Sequence, residues 1–317
     1  MKPDAPAITV VIPAYGMAHL VGEALTSLQA QSFTAWEAVV VDDGAPDDVA
    51  GAVAAFAHDT RIRLLRTDNG GVAVARNRGI AAARAPLIAL LDGDDVYEPD
   101  YLARMAAAIE SDPKLGFVSC DATYFGTASR LGRRFSEFCP QIPPITLESV
   151  LLRTFNMFTA CMIRLTALDA IGGYDPLLRT AEDLDLWIRL LEAGWQAAYV
   201  PEALVRYRRR AQSLSSDSLG LLRMTGIVYE KARDRLAGKP EQAVAARMAE
   251  ETAREIRWEE GELLVRSGQI AAGLALLHDS GVEGRSLRWR IAMPLMRMLP
   301  PIARPILEYR KRSNERH

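Results

Sequence analysis

Leu87-Ile88-Ala89-Leu90-Leu91-Asp92-Gly93-Asp94-Asp95 is the stretch on which the reading of this chain turns: five apolar residues end abruptly in three carboxylates and a glycine. A short, uninterrupted apolar run is the signature of a strand covered on both faces, as in a mostly parallel sheet. Moving toward the N-terminus, the same alternation recurs. Val72 to Ala83 is Ala-rich and helical, and Ile62 to Leu65 is strand-like. Val49 to Ala57 reads as a helix, and Ala38 to Val41 as a strand stopped by Asp42-Asp43-Gly44. Leu20 to Gln29 has helical spacing, and the β-branched run Ile8 to Ile12 ends at Pro13. In the other direction, Tyr101 to Ile109 is helical and Phe117 to Cys120 is a fifth strand. Strands alternating with helices predict an α/β, Rossmann-like fold with helices on both faces of the sheet. In such sheets ligands sit past the carboxyl ends of the strands. Parallel strands would therefore bring Pro13-Ala14-Tyr15, Asp42-Asp43-Gly44 and Asp92 to Asp95 to one rim.

Each cluster has a chemical and a plainer reading. Asp92 and Asp94 at a strand end suit a hard divalent cation that also takes phosphate oxygens, whereas a solvated acidic turn with Gly93 at its bend explains them equally. Asp42 and Asp43 suit hydrogen bonds from a base or ribose, or a simple strand-to-helix turn. Asn69-Gly70-Gly71, followed by Ala75-Arg76-Asn77-Arg78-Gly79, opens a helix, where anionic groups are favoured. Arg76 is the candidate for a phosphate or base, and Arg78 reads as surface. Glu182-Asp183 stands before Leu184-Asp185-Leu186-Trp187, either capping that helix and matching its dipole or supplying a general base.

Composition narrows the classes. The chain has 317 residues, is 49% hydrophobic and 25% charged, and carries a net charge of −2. That describes a globular chain with a sizeable core and no overall basic field for nucleic acid. Cys120, Cys139 and Cys161 read as small buried hydrophobes, and the four histidines match no metal-ligand spacing. Neither a signal peptide nor an apolar run of membrane-spanning length is seen, so a cytoplasmic location is expected. A soft boundary falls near residue 217. Residues 1–122 form the expected nucleotide-binding part, 123–217 the acceptor-side part, and 218–317 a helical region. Residues 285 to 317 mix arginines (Arg288, Arg290, Arg297, Arg304, Arg310 and Arg312) with apolar residues. Such a segment suits either an anionic membrane surface or a helix packed on the protein with its arginines in water. Pro294, Pro300, Pro301 and Pro305 argue against one long helix.

Taken together, the clusters resemble the inverting glycosyltransferases of the GT-A fold, glycosyltransferase family 2. The resemblance covers about residues 7 to 215. It rests on Val10 to Tyr15, Val41 to Gly44 with Asp47, Asn69 to Gly79, Leu91 to Asp95, and Gly172-Gly173-Tyr174-Asp175 with Glu182 to Trp187. It implies a nucleotide-sugar donor, most often a UDP-sugar, bound with Mn²⁺ or Mg²⁺, and a glycan or lipid-linked acceptor. Pro13, Ala14, Tyr15, Asp42, Asp43, Arg76, Asp92 and Gly93 would then line the nucleotide, with Tyr15 on the base, Asp43 hydrogen-bonded to it and Asp92 near the ribose. Asp94, with Asp92, would hold the metal. Asp183, or less readily Glu182, would deprotonate the acceptor, and Trp187 would lie on the acceptor side.

Two positions depart from the family. Gly16 stands where Asn is usual, which is expected to loosen the loop. In Tyr207-Arg208-Arg209-Arg210, leading to Ser213-Leu214-Ser215, Arg210 takes the place of a His. Arg pairs bidentately with phosphate and does not ligate metal as imidazole does, so Arg208 or Arg210 is the expected diphosphate clamp. The Arg285 to Trp289 stretch is similar to a motif of processive synthases only by coincidence, being far from Asp183. Competing readings are a sugar-nucleotide nucleotidyltransferase, although no basic Gly-rich loop follows the first strand, and an inactive binding or scaffold protein.

Overall fold

The computed structural model describes residues 5–127, 130–210, 217–281 and 287–314, with side chains for all of these except 287–288 and 309–314. The Ser213–Ser215 stretch and Arg285, together with the side chains of Arg288, Arg310 and Arg312, lie outside the described residues. The chain divides into two compact units, Met1–Ser216 and Asp217–His317.

In the first unit, β1 (Ile8–Ala14), β2 (Trp36–Asp43), β3 (Ile62–Thr67) and β4 (Leu87–Leu90) are parallel neighbours in the order β3-β2-β1-β4. Every residue of β1, β2 and β4 is buried, as their apolar runs predict, and the burial extends to the polar Thr9, Glu37, Asp42 and Asp43. The two faces are covered by different helices. Val10, Ile12, Ala38, Val40 and Ala89 share one core with buried residues of α1 (Val21–Gln29), α2 (Val49–Ala54) and α4 (Tyr101–Glu110). Val39 and Val41, pointing the other way, pack on Ala75 of α3 (Val72–Ala81).

The expected fifth strand does not extend this parallel set. It is β6 (Leu115–Gly126), separated from β4 by the short β7 (Met162–Arg164), which runs antiparallel to both. β8 (Gln196–Arg209) lies parallel to β6, and β5 (Val96–Tyr97) closes the order β3-β2-β1-β4-β7-β6-β8-β5. The sheet is thus a mixed sheet of eight strands with a parallel half that carries the predicted rim. Between β6 and β8 lie α5 (Leu147–Leu151), α6 (Leu165–Ile171) and α7 (Glu182–Glu192). Cys120 and Cys161 are buried, whereas Cys139 is only half-buried.

One glycine sets how closely α3 approaches the sheet. A Cβ on Gly79 would come within 2.4 Å of Val11 Cγ1 and 3.2 Å of Val41 Cγ2. Without it, the helix carrying Arg76 could not rest directly on β1 and β2.

The second unit is helical: α8 (Ser218–Arg235), α9 (Glu241–Arg266), α10 (Ile270–Asp279), α11 (Leu287–Met298) and α12 (Ala303–Asn314). Its core joins Trp258, Val265, Leu274, Leu277, Met293, Met296, Ala303 and Leu307, with Trp258 and Trp289 edge to face at 4.8 Å. The prolines do limit helix length here: Pro300 sits in a 3-10 turn between two helices of 12 residues, while Pro294 is carried inside α11. No helix among the described residues is long and apolar enough to cross a membrane.

Gly79→Ala is expected to destabilise the protein by about 1–3 kcal/mol, the usual range for overpacking. Urea unfolding checks this: the midpoint should fall with little change in slope, and an unchanged midpoint would mean that α3 does not sit where this packing places it.

Candidate active site

The carboxyl ends of β1, β2 and β4 meet on one edge, with Ala14 in register with Asp42 and Val11 with Leu90. Ala14 is buried, and the next residue, Tyr15, presents an aromatic ring that is 52% exposed. Gly16 follows with φ of +66°. That left-handed conformation is favoured by Gly and, among other residues, by Asn. Exchange of the family's Asn for Gly therefore keeps the turn rather than abolishing it. The acidic turn after β4 lies against this loop: a Cβ on Gly93 would stand 3.1 Å from the Pro13 carbonyl oxygen and 3.2 Å from Met17 Sδ.

Both acids after β2 are buried and already bonded. Asp42 accepts from the Ala45 backbone N–H (3.0 Å) and from Arg66 Nε (3.2 Å). Asp43 accepts from the backbone N–H groups of Gly70 (3.0 Å) and Gly71 (2.8 Å), and from Arg78 (3.3 Å). Its carboxylate therefore shapes the Asn69-Gly70-Gly71 loop. Arg78, read as a surface residue, is half-buried against Asp43 and the Asp68 carbonyl.

Arg76 was expected to meet phosphate or base, and the structure gives its guanidinium other partners. It is 2% exposed and donates to Glu182 Oε1 (2.7 Å), Asp183 Oδ1 (2.9 Å) and Asp92 Oδ1 (2.9 Å). One cation from α3 thereby ties the acidic turn after β4 to the start of α7. The neighbouring Asn77 reinforces this link. Its side-chain amide donates to the Tyr174 carbonyl and accepts from the Tyr174 N–H, both at 2.8 Å, which fixes the Gly172-Gly173 turn ahead of α7. Nor do the α7 acids act as a side-chain cap: the N-cap is Ala181, in left-handed backbone at φ +59°, and it makes no side-chain cap hydrogen bond. A non-glycine residue there is uncommon and marks strain. Here it turns Glu182 and Asp183 toward Arg76.

Asp183 is the more open of the two acids, its side chain 22% exposed against 9% for Glu182, and its other oxygen accepts from Thr159 Oγ1 at 3.0 Å. Burial and the adjacent Asp183 charge raise the Glu182 carboxyl to about 7 against the pull of Arg76. Burial also raises Asp183, with Arg76 opposing and Asp92 adding to the rise. In the acidic turn, burial raises Asp94, helped by Asp92 and opposed by Arg210.

The two arginines proposed for a diphosphate differ. Arg208 donates from Nε to the Asp94 carbonyl (2.7 Å), from its backbone N–H to Asp95 (2.8 Å) and from Nη2 to Glu23 of α1 (2.7 Å). It therefore staples the acidic turn to its surroundings. Arg210 pairs with Asp94 Oδ2 at 2.7 Å and is 26% exposed. Trp187, placed on the acceptor side by resemblance, is instead a core residue, 2% exposed and stacked on Phe117 with ring centroids 5.4 Å apart. Its spacing follows the buried stripe of α7 with Leu186 and Leu190.

Sequence reading missed Thr159, Asn77 as a clamp, and Glu23. Thr159 lies in an irregular stretch with no periodicity to expose it, and Glu23 looks like any exposed helix acid. Only Asn77, beside Arg76, sat in a recognised motif.

Residues 9–174 match the family model described as Glycosyl transferase family 2. TuaG of Bacillus subtilis (strain 168), named for teichuronic acid biosynthesis, is 26% identical over 71% of this chain and 88% of its own length. The succinoglycan biosynthesis protein ExoO of Rhizobium meliloti is 35% identical over 68% of this chain and 65% of its own. In fold, the chain is similar to S. aureus TarS 1-349 in complex with UDP-GlcNAc, with TM-score 0.65 and 19% identity over 95% of this chain and 86% of that one. It is also similar to the mannosyltransferase PcManGT from Pyrobaculum calidifontis in complex with GDP-Man and Mn²⁺, with TM-score 0.62 and 20% identity over 93% and 88%.

Glu182 makes stability depend on pH with a definite sign. The folded protein holds this proton up to about 7, whereas an ordinary glutamate releases it near 4.5. Between those values the folded state binds more protons than the unfolded one, so stability falls as pH rises through the window and levels off above it. Urea unfolding across the window should show that fall in the wild type and a shallower one in Glu182→Gln. Identical profiles would contradict the assignment.

Proposed function

The chain belongs to glycosyl transferase family 2, and from that premise we propose that it moves a sugar from a UDP-sugar to a hydroxyl of a glycan or lipid-linked acceptor, in a single inverting displacement. The observation that carries this reading is the Arg76 contact, which sets Asp183 beside Asp92 at the edge where the parallel strands end. The names of TuaG and ExoO, for teichuronic acid and succinoglycan biosynthesis, support a role in building a bacterial polysaccharide, and the reaction is proposed to take place in the cytoplasm.

Tyr15, exposed at the end of β1, offers a stacking face for the nucleobase. Asp43 shapes the adjoining loop, whose glycines let the nucleotide approach the backbone. Asp92 and Asp94 each commit one oxygen to an arginine, and a carboxylate has about four lone-pair sites. The pair therefore suits a Mn²⁺ or Mg²⁺ ion shared with donor phosphates, which needs few protein ligands. Among the described residues no cluster of three or more His, Cys, Asp or Glu is placed to hold a metal, so the donor's oxygens would complete the shell. When bound, the ion neutralises charge building on the leaving diphosphate. Arg210, with one edge on Asp94, turns the rest of its guanidinium to the same phosphates.

Asp183 takes the proton from the acceptor hydroxyl as that oxygen attacks the anomeric carbon from the face opposite the diphosphate. Arg76 and Thr159 hold its two oxygens, so the carboxylate is oriented before substrate arrives. Arg76 also opposes the rise in its pKa, keeping it available as a base.

Asp183→Asn should lower transfer by roughly 10²–10⁴-fold, the usual contribution of a general base, while UDP binds as in the wild type. Sugar transfer followed alongside calorimetry checks this, and transfer near the wild-type rate would remove Asp183 from the role. Arg210→Ala should weaken UDP by about 10–100-fold, the equivalent of one charged hydrogen bond, and Asp94→Ala should abolish any gain in UDP affinity from Mn²⁺. UDP binding that is unchanged in both variants would place the diphosphate elsewhere.

A further inference from the structure

The second unit carries a surface that sugar transfer does not explain. On α11, Ile291 (63% exposed), Leu295 (43%) and Met298 (80%), with Leu299 (54%) just past its end, stand in the open. At 100° per residue these positions share one side of the helix. The opposite side is a satisfied core face, where Met293 and Met296 are buried with Trp258 and Leu277. Both sides of α11 are thus apolar, and among the described residues only one has a partner within the unit. Arg290 and Arg297, both exposed, flank the open stripe alongside Pro294.

The segment that carries the stripe is strongly basic. Residues 284–317 hold nine of the chain's 38 Lys and Arg but two of its 40 Asp and Glu, a net charge of +7 in a chain whose total is −2. From 284 to 307 there are five arginines and no acid. Arg304, on α12, is paired with Glu308 at 2.8 Å, and it is the one described arginine of this segment with a carboxylate partner.

We propose that α11 docks this unit on an anionic lipid bilayer, with Ile291, Leu295, Met298 and Leu299 inserted among the acyl chains and Arg290 and Arg297 among the headgroups. An interfacial helix needs an apolar stripe, a basic flank and little else. Arginine stems lie along the apolar boundary while their guanidinium groups reach the phosphates. No helix among the described residues is suited to span, so the contact is peripheral. A second copy of this chain is a poor occupant, because it would set arginine against arginine across a low-dielectric contact. An anionic surface meets both the apolar side and the charge. The contact would hold the enzyme near an acceptor carried on lipid, but it stands or falls independently of the donor site.

The test is sedimentation of the full chain with vesicles of pure phosphatidylglycerol or pure phosphatidylcholine, at low and high salt, with light scattering on the protein alone. The variants are Ile291→Glu with Met298→Glu, and Arg290→Glu with Arg297→Glu. All four side chains are exposed, and circular dichroism with thermal unfolding verifies that each variant keeps its helices folded. The wild type should pellet with phosphatidylglycerol, stay in solution with phosphatidylcholine, and be released by salt. The apolar variant should stay in solution, and the arginine variant should bind at least about thirtyfold more weakly, given the usual attraction per basic residue. A wild type that remains in solution with phosphatidylglycerol overturns the proposal, as do variants that pellet like the wild type. A wild-type dimer that the apolar variant converts to monomer would also overturn it, by assigning the stripe to a second copy.

Discussion

Everything at the candidate site depends on one buried cation meeting three carboxylates. Arg76 bonds Asp92, Glu182 and Asp183 from a position almost closed to solvent. Acids this close repel one another, and burial adds to the penalty. Without the guanidinium, α7 could not begin with two carboxylates facing the acidic turn after β4. The contact spans residues far apart in sequence, so it also fixes how the parallel half of the sheet meets the segment leading to α7. Gly79 lets α3 rest on β1 and β2, Asn77 clamps the turn at Tyr174, and Ala181 accepts left-handed backbone so that the acids face inward.

The electrostatic arrangement follows from that contact. Four carboxylates gather near the strand ends: Asp92, Glu182 and Asp183 share Arg76, and Asp94 pairs with Arg210. Arg76 comes from α3, whereas Arg208 and Arg210 come from the end of β8 and the residue beyond it. Arg208 grips the backbone of the acidic turn and leaves its neighbour Arg210 to face Asp94. This division of labour gives the departure from His a physical meaning. A cationic side chain now stands where a neutral ligand is usual, and it is held against Asp94 of the acidic turn.

Much of this was legible in the sequence. Apolar runs, ending in Pro13 or in acids, gave away β1, β2, β4 and their shared rim, because strands buried on both faces leave little room for polar alternation. β7 and β5 were not legible, being three and two residues long, and β8 was hidden by Pro201 and Glu202 in its middle and by arginines at its end. Side-chain partners were harder still. Arg76 was singled out as a contact for phosphate or base, yet a sequence cannot say whether a guanidinium faces a ligand or its own protein. Trp187 failed for a related reason: a tryptophan next to acidic residues suggests a binding surface, but its helical phase with Leu186 and Leu190 puts it in the core. Asp43 belongs to a recognised turn, and only the structure shows its oxygens holding the Gly70 and Gly71 amides.

The central claim is that Arg76 is a fixed organiser of the site and not a ligand of the donor. A crystal structure of the protein with UDP and Mn²⁺ tests it most directly. Arg76 should keep its bonds to Asp92, Glu182 and Asp183 while the nucleotide lies against Tyr15 and the diphosphate against Arg210. A guanidinium swung out onto the phosphates, with Asp183 released from it, would instead make Arg76 a ligand of the donor.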